Sequence, residues 1–274
     1  MRTGNHAGRP RSQADPAQNP VARGNGGPGR GKLWVVGTGP GSLAHLSPRA
    51  LQALQEAELI VGYKTYIQLI APLLKGKEIL STGMTREVER CTAAIEQAKG
   101  GKRVALVSSG DPGVYGMAGL ALELLERDDL LDRVEVEIIP GITSASAAAA
   151  LLGAPLMHDF AVISLSDLLT PWEVIQKRLD LAARGDFVIV LYNPASHQRK
   201  NQIREAREIM LQHKPGSTPA GIVRNAYREQ EKVVITDLEH LLDHPIDMLC
   251  TVIIGNARTR RIEDYLVTPR GYSL

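Results

Sequence analysis

The sequence predicts an α/β protein of two domains, each built on a mixed β-sheet, with the ligand cleft between them. Three observations carry this expectation. Apolar runs of strand length alternate with segments whose apolar residues recur at helical spacing. The alternation breaks at Gly153, Ala154 and Pro155 and then restarts as a second unit. Loops rich in glycine and proline follow several strands, and in open α/β sheets that is where ligands bind.

The first 31 residues differ from the rest. Met1 to Gly31 is rich in Gly, Pro, Arg, Asn and Gln and nearly empty of large apolar groups, so it cannot repay chain entropy and is expected to be a disordered tail. Its arginines suggest a transit peptide, but its glycines and prolines spoil the amphipathic helix such a peptide forms. The expected division is a tail over 1–31, a first domain over 32–152 and a second over 153–274.

Within the first domain, residues 33–36 read as a strand that ends in Gly37-Thr38-Gly39-Pro40-Gly41. Ser47 is placed to cap a helix with Pro48 at its first position and Leu51 and Leu54 on its apolar face. A strand at 59–61, a helix at 86–99 and a strand at 104–107 follow. The loop Ser108-Ser109-Gly110-Asp111-Pro112-Gly113-Val114-Tyr115-Gly116 then leads into a helix carrying Met117, Leu120 and Leu124. Its glycines let main chain approach a ligand, and Asp111 is the strong acceptor at its tip. After a strand at 134–139, Pro140-Gly141-Ile142-Thr143 opens a helix at 144–152 made almost wholly of Ser and Ala. Small side chains there admit a flat ligand near unpaired amides, with Thr143 and Ser144 as the contacts.

The second domain repeats the alternation. Strands are expected at 160–165, 187–192, 220–223, 232–236 and 250–254. Thr170 to Glu173 reads as a capping box opening a helix with Trp172, Ile175, Leu179 and Ala182 on one face. Another helix carries Ile203, Ala206 and Met210.

Composition excludes several function classes. Across 274 residues, 43% are hydrophobic and the net charge is +2, which supports an ordinary core and gives no basic face for nucleic acid. Two cysteines, Cys91 and Cys250, argue against a disulfide framework or a Cys-based metal site, so no metal is expected and a reducing cytoplasm is the default. No apolar run approaches the roughly 20 residues of a membrane span. The glycine loop at 37–41 fails as a dinucleotide fingerprint, because Ser42 stands where the third glycine belongs and no acidic residue ends the next strand. That disfavours a nicotinamide-linked oxidoreductase.

Taken in order, Gly37-Thr38-Gly39-Pro40-Gly41, Ser109-Gly110-Asp111-Pro112 and Pro140-Gly141-Ile142-Thr143 resemble the S-adenosylmethionine-binding loops of the tetrapyrrole methyltransferase superfamily. The stretch from Leu152 to Trp172, and Tyr192-Asn193-Pro194 followed by Ser196 and Arg199, resemble its precorrin-3B C-17 methyltransferase subfamily. The similarity runs from Lys32 to about Leu266. It implies two α/β domains, a cofactor between them, usually a homodimer, and methylation of carbon 17 of precorrin-3B, or its cobalt form, with ring contraction. It also implies cofactor contacts at Pro40, Ser109, Gly110, Asp111, Val114, Thr143, Ser144, Asn193, Asn225 and Ala226.

Chemistry adds further candidates. Ring contraction requires loss of a hydroxyl proton, which a positioned base accelerates. His158 and Asp159 at the domain junction are the first choices, with Tyr115 and Asp167 behind them. A substrate rich in carboxylates calls for cations, and Arg199 and Arg224 are expected to supply them, with Gly39 beside the substrate and Lys200 and Arg204 as further possibilities. Methylation at another carbon, or non-catalytic binding of a tetrapyrrole, are the alternative readings.

Overall fold

The computed structural model describes residues 31–196 and 199–273. The expected tail therefore lies outside the described residues, apart from Gly31, which opens the first strand.

Five strands and the helices between them form the first half: β1 (Gly31–Gly37), α1 (Pro48–Glu56), β2 (Leu59–Tyr63), α2 (Lys64–Leu69), β3 (Glu78–Thr82), α3 (Glu87–Lys99), β4 (Arg103–Ser108), α4 (Ala118–Arg127) and β5 (Val134–Ile139). Ser47 caps α1 as expected, its hydroxyl accepting from Ala50 N at 3.1 Å. The sheet order is β3-β2-β4-β1-β5, and every neighbouring pair is parallel. All five strands therefore end at the same edge. Both faces are covered, one by α3 and α4 through Cys91, Ile95, Leu124 and Leu125, the other by α1 and α2 through Leu54 and Ile67.

The second half comprises α5 (Ser144–Leu152), β6 (Gly153–Ala154), β7 (Phe160–Ser164), α6 (Trp172–Arg184), β8 (Val188–Tyr192), α7 (Gln202–Leu211), β9 (Pro219–Arg224), β10 (Lys232–Asp237), β11 (Cys250–Ile254), β12 (Arg260–Ile262) and β13 (Tyr265–Val267). Its main sheet, in the order β10-β9-β11-β8-β7, is the mixed one. β7 and β8 run parallel while the pairs β8/β11, β11/β9 and β9/β10 are antiparallel. β12, β13 and β6 form a small third sheet. The alanines of α5 let it lie close on this main sheet, where Ala145, Ala148 and Leu152 pack with Val188, Val190, Val223 and Ile253. In the expected division α5 is counted with the first domain, yet it buries its surface against the second sheet.

The expected capping box at Thr170 does not form. Pro171 occupies the N-cap position of α6 with no side-chain hydrogen bond, which leaves Thr170 one residue too far outside the helix to reach its amides.

Candidate functional site

The strand ends of the first sheet meet one end of the second sheet. Because β1 and β4 are parallel neighbours, the loops that follow them emerge side by side, and they pair main chain to main chain. Gly39 N donates to Gly110 O at 3.1 Å, and Gly110 N to Gly39 O at 2.8 Å. Both glycines have positive φ, 69° and 67°. A Cβ on Gly141 would lie 2.2 Å from Gly110 O, so the loop after β5 also packs with its bare backbone against this pair. Asp111 ties the loop after β4 to the loop after β5. Its Oδ1 accepts from Gly113 N at 2.8 Å and its Oδ2 from Gly141 N at 3.0 Å.

The facing wall comes from Ser164 at the end of β7, Tyr192 and Asn193 at the end of β8, and the turn between β9 and β10. Tyr192 Oη lies 2.5 Å from Thr143 Oγ1 and accepts from Ala145 N at 2.7 Å. It thereby takes a first-turn amide of α5 that has no partner within the helix. Burial pushes the Tyr192 hydroxyl up from its ordinary pKa of 10.0, against the lowering effect of its bonds to Thr143, Ala145 and Ser144, so the phenol stays protonated near neutrality. Asn193 Nδ2 donates to Ser164 Oγ at 2.9 Å. Tyr115 reaches across from the first half, donating its hydroxyl to Val162 O at 3.1 Å and accepting from Ser164 N at 3.3 Å. These groups lie on β7, an edge strand, so the phenol caps polar groups that no neighbouring strand satisfies. Tyr115, Asn193, Asn225 and Tyr227 all have positive φ, between 51° and 58°. Asparagine tolerates this conformation, whereas for the two tyrosines it is a strained one.

The structure thus brings together Gly39, Pro40, Ser109, Gly110, Asp111, Thr143, Ser144, Asn193, Tyr115 and the Asn225–Ala226 turn. Val114 stands on the same loop, partly exposed.

His158 and Asp159 are not brought to these loops, which corrects their expected place. They precede Phe160 at the start of β7, whereas the site lies beyond Ser164 at its end. At about 3.3 Å per residue, the strand holds the two places roughly 16 Å apart. His158 Nδ1 instead accepts from Asp159 N at 3.0 Å, and the pair lines a separate cavity of ≈ 260 Å³ with Asp186, Phe187 and Arg258.

The two arginines expected to meet substrate are already engaged. Arg199 donates to Leu165 O at 3.0 Å and Asn193 O at 3.2 Å, with Asp167 3.9 Å away, so it shapes the loops after β7 and β8. Arg224 is paired with Asp247 at 2.9 Å. Asp167, the reserve candidate for proton transfer, accepts from Gln202 at 3.0 Å. Lys200 and Arg204 are exposed.

Sequence reasoning missed Tyr192 as a functional side chain, and it missed Arg228 and His45 altogether. Arg228 donates through Nε to Pro40 O and through Nη2 to Ser109 Oγ at 2.8 Å. The His45 ring packs on Tyr227 at a tilt of 37°, with centroids 4.1 Å apart, beside a groove of ≈ 350 Å³ lined by Leu46, Pro140 and Ile142. Among the described residues no group of three or more His, Cys, Asp or Glu is placed to hold a metal ion. No helix among them is long and apolar enough to cross a membrane.

Residues 32–242 match the family described as Tetrapyrrole (Corrin/Porphyrin) Methylases. Over 245 residues the chain is 52% identical to a cobalt-factor III methyltransferase of Priestia megaterium, covering 89% of this chain but only 45% of that relative's length. It is 51% identical over 242 residues to a Salmonella typhimurium protein named "Probable cobalt-factor III C(17)-methyltransferase", covering 88% of this chain and 100% of that one. Among solved structures, the methyltransferase CobJ superposes with a TM-score of 0.82 at 40% identity, covering 87% of this chain and 100% of that chain.

Proposed function

The chain belongs to the tetrapyrrole (corrin/porphyrin) methylases, and on that premise we propose that it transfers a methyl group from S-adenosylmethionine to carbon 17 of a cobalt-bearing precorrin, with contraction of the macrocycle. The step belongs to cobalamin synthesis. The observation that carries this reading is the 51% identity across the whole length of the Salmonella protein, whose name specifies both carbon 17 and a cobalt-bearing acceptor. Cobalt enters as part of the substrate.

The donor set fits S-adenosylmethionine. The walls offer main-chain amides and carbonyls, the hydroxyls of Ser109 and Thr143, and the amides of Asn193 and Asn225. A polyphosphate would need several free amides at a helix N-terminus, and Tyr192 already occupies the one at Ala145. When bound, the sulfonium supplies an electrophilic methyl group. The protein's part is to align donor and acceptor and to exclude water, which can contribute about 7–11 kcal/mol to such a transfer.

Each residue then has a defined task. Asp111 and the paired glycines hold the loops after β1, β4 and β5 as one surface. Tyr192 holds α5 against the second sheet, and Tyr115 straps the first half to β7. Of the residues expected to handle the proton of ring contraction, Tyr115 is the one on this surface, and its hydroxyl hydrogen is given to Val162 O. Its role is therefore positioning. We read the chain as two domains on the expected bounds 32–152 and 153–274, except that α5 packs with the second, and the protein as a cytoplasmic homodimer.

Incubation of purified protein with cobalt-factor III and S-adenosylmethionine tests the reading. It predicts a product one methyl group heavier. Recovery of unchanged tetrapyrrole from a folded sample that binds the pigment but not S-adenosylhomocysteine would favour a non-catalytic carrier instead.

A further inference from the structure

Arg228 is a cation without a counter-charge. It sits on the turn between β9 and β10 and reaches the first half, where its Nε meets Pro40 O and its Nη2 meets Ser109 Oγ at 2.8 Å. It makes no ion pair among the described residues, and the Tyr66 hydroxyl lies near it. A guanidinium has five N–H donors, so the two bonds leave its Nη1 pair and one further hydrogen uncommitted.

The surroundings are built to hold this arm. Gly41, with φ of 133°, passes beneath it, and a Cβ there would fall 2.6 Å from Nε. Tyr227, with φ of 58°, turns its ring onto His45 and fixes the preceding residue of the turn. The second cation near Tyr66, Arg90, is buried and spends its guanidinium on Thr82 Oγ1, Gly83 O and Met117 Sδ, again without an acid. Neither guanidinium is ion-paired among the described residues, although Glu87 lies near Tyr66 and Asp111 stands on the loop after β4. Burial lowers the Arg228 pKa, the sign of a cation paying for lost solvent. A half-buried charge of this kind is costly unless an anion joins it.

We propose that Arg228 is the carboxylate receptor of the site, its free guanidinium edge pairing with an acid group of the bound ligand while its other edge holds Pro40 and Ser109. The inference rests on the reading of the loops as a donor site. Two ligands carry the required group, the methionine portion of the methyl donor and the acid side chains of the tetrapyrrole. A bidentate pair with either would tie occupancy of the site to the contact between the two halves.

Titrations of wild type, Arg228→Gln and Arg228→Lys distinguish these sources, using three probes. S-adenosylhomocysteine carries the methionine carboxylate, 5′-methylthioadenosine lacks it, and uroporphyrin is a stable tetrapyrrole rich in carboxylates. If the donor's carboxylate is the partner, Arg228→Gln weakens S-adenosylhomocysteine about tenfold or more and leaves methylthioadenosine unchanged. If the pigment's is, uroporphyrin weakens by about as much and both nucleosides are unchanged. In either case Arg228→Lys recovers part of the loss. Should the glutamine variant fail to fold, the lysine variant decides through the same comparison, since its shorter reach lowers affinity only for the carboxylate-bearing partner. Equal weakening of all three probes, or of neither acid-bearing probe, would overturn the proposal and leave Arg228 a strap. Failure of wild type to bind S-adenosylhomocysteine would instead sink the donor-site reading.

Discussion

The phenolic oxygen of Tyr192 lies 2.5 Å from the hydroxyl of Thr143, joining the end of β8 to the start of α5. Ala145 N shares that oxygen at 2.7 Å, so one side chain satisfies two partly buried groups. Tyr192→Phe leaves both without it. We expect a loss of about 1–3 kcal/mol in stability, read as a lower Tm, together with weaker S-adenosylhomocysteine binding by calorimetry.

Asp111 ties two loops rather than standing free at a tip. Asp111→Ala removes acceptors from Gly113 N and Gly141 N and should weaken donor affinity by loosening the loops. Asp111→Asn keeps one carbonyl acceptor, so its affinity should fall between alanine and wild type. An alanine variant that binds S-adenosylhomocysteine as wild type does would remove Asp111 from the site.

The glycine contacts are steric and unforgiving. A Cβ at Gly141 would sit 2.2 Å from Gly110 O, a backbone atom that cannot swing aside. Gly141→Ala should cost about 1–3 kcal/mol or more and abolish donor binding. Gly119, which has nothing within 4 Å of its added Cβ, is the matched control, and Gly119→Ala should leave both Tm and binding near wild type.

His158→Ala should change neither methyl transfer nor ring contraction, because the residue sits at the far end of β7. Steady-state rates of both steps check this. A selective loss of contraction would return His158 to the mechanism.

Acid sensitivity of the fold should pass through Glu137. A hydrogen bond from Arg49 at 2.7 Å, helped by the charges of Arg49 and Lys32, holds its carboxyl below its ordinary value of 4.5 against the opposing effect of burial. A carboxyl with a depressed folded pKa contributes stability above its unfolded value, and that contribution is lost as pH falls through the folded one. Measured as Tm against pH, the advantage of wild type over Glu137→Gln should be full near neutrality and shrink once pH drops below about 4.5.

Much of this fold could be read directly from the residues. Ser47 and Pro48 marked the start of α1, and the loops at 37–41, 108–116 and 140–143 announced themselves by glycines that only close main-chain packing requires. Strand direction was harder. His158 and Asp159 lie in sequence at the break between the halves, but the parallel pairing of β7 with β8 sends that end of the sheet away from the site. Arg199 and Arg224 looked available because their acceptors, the carbonyls of Leu165 and Asn193 and the carboxylate of Asp247, are set by tertiary contact. Arg228 was invisible for the same reason, since its contact with Pro40 spans 188 residues of chain. Its only local hint was a turn containing Asn225, whose positive φ suits an asparagine.

On the proposed function, these loops present a methyl donor to carbon 17. Cobalt-factor III incubated with donor labelled with carbon-13 at the methyl group, followed by NMR of the isolated product, reads that position directly. A single labelled methyl on carbon 17 of a contracted ring is expected. Label on any other carbon, or none in the tetrapyrrole, would contradict it.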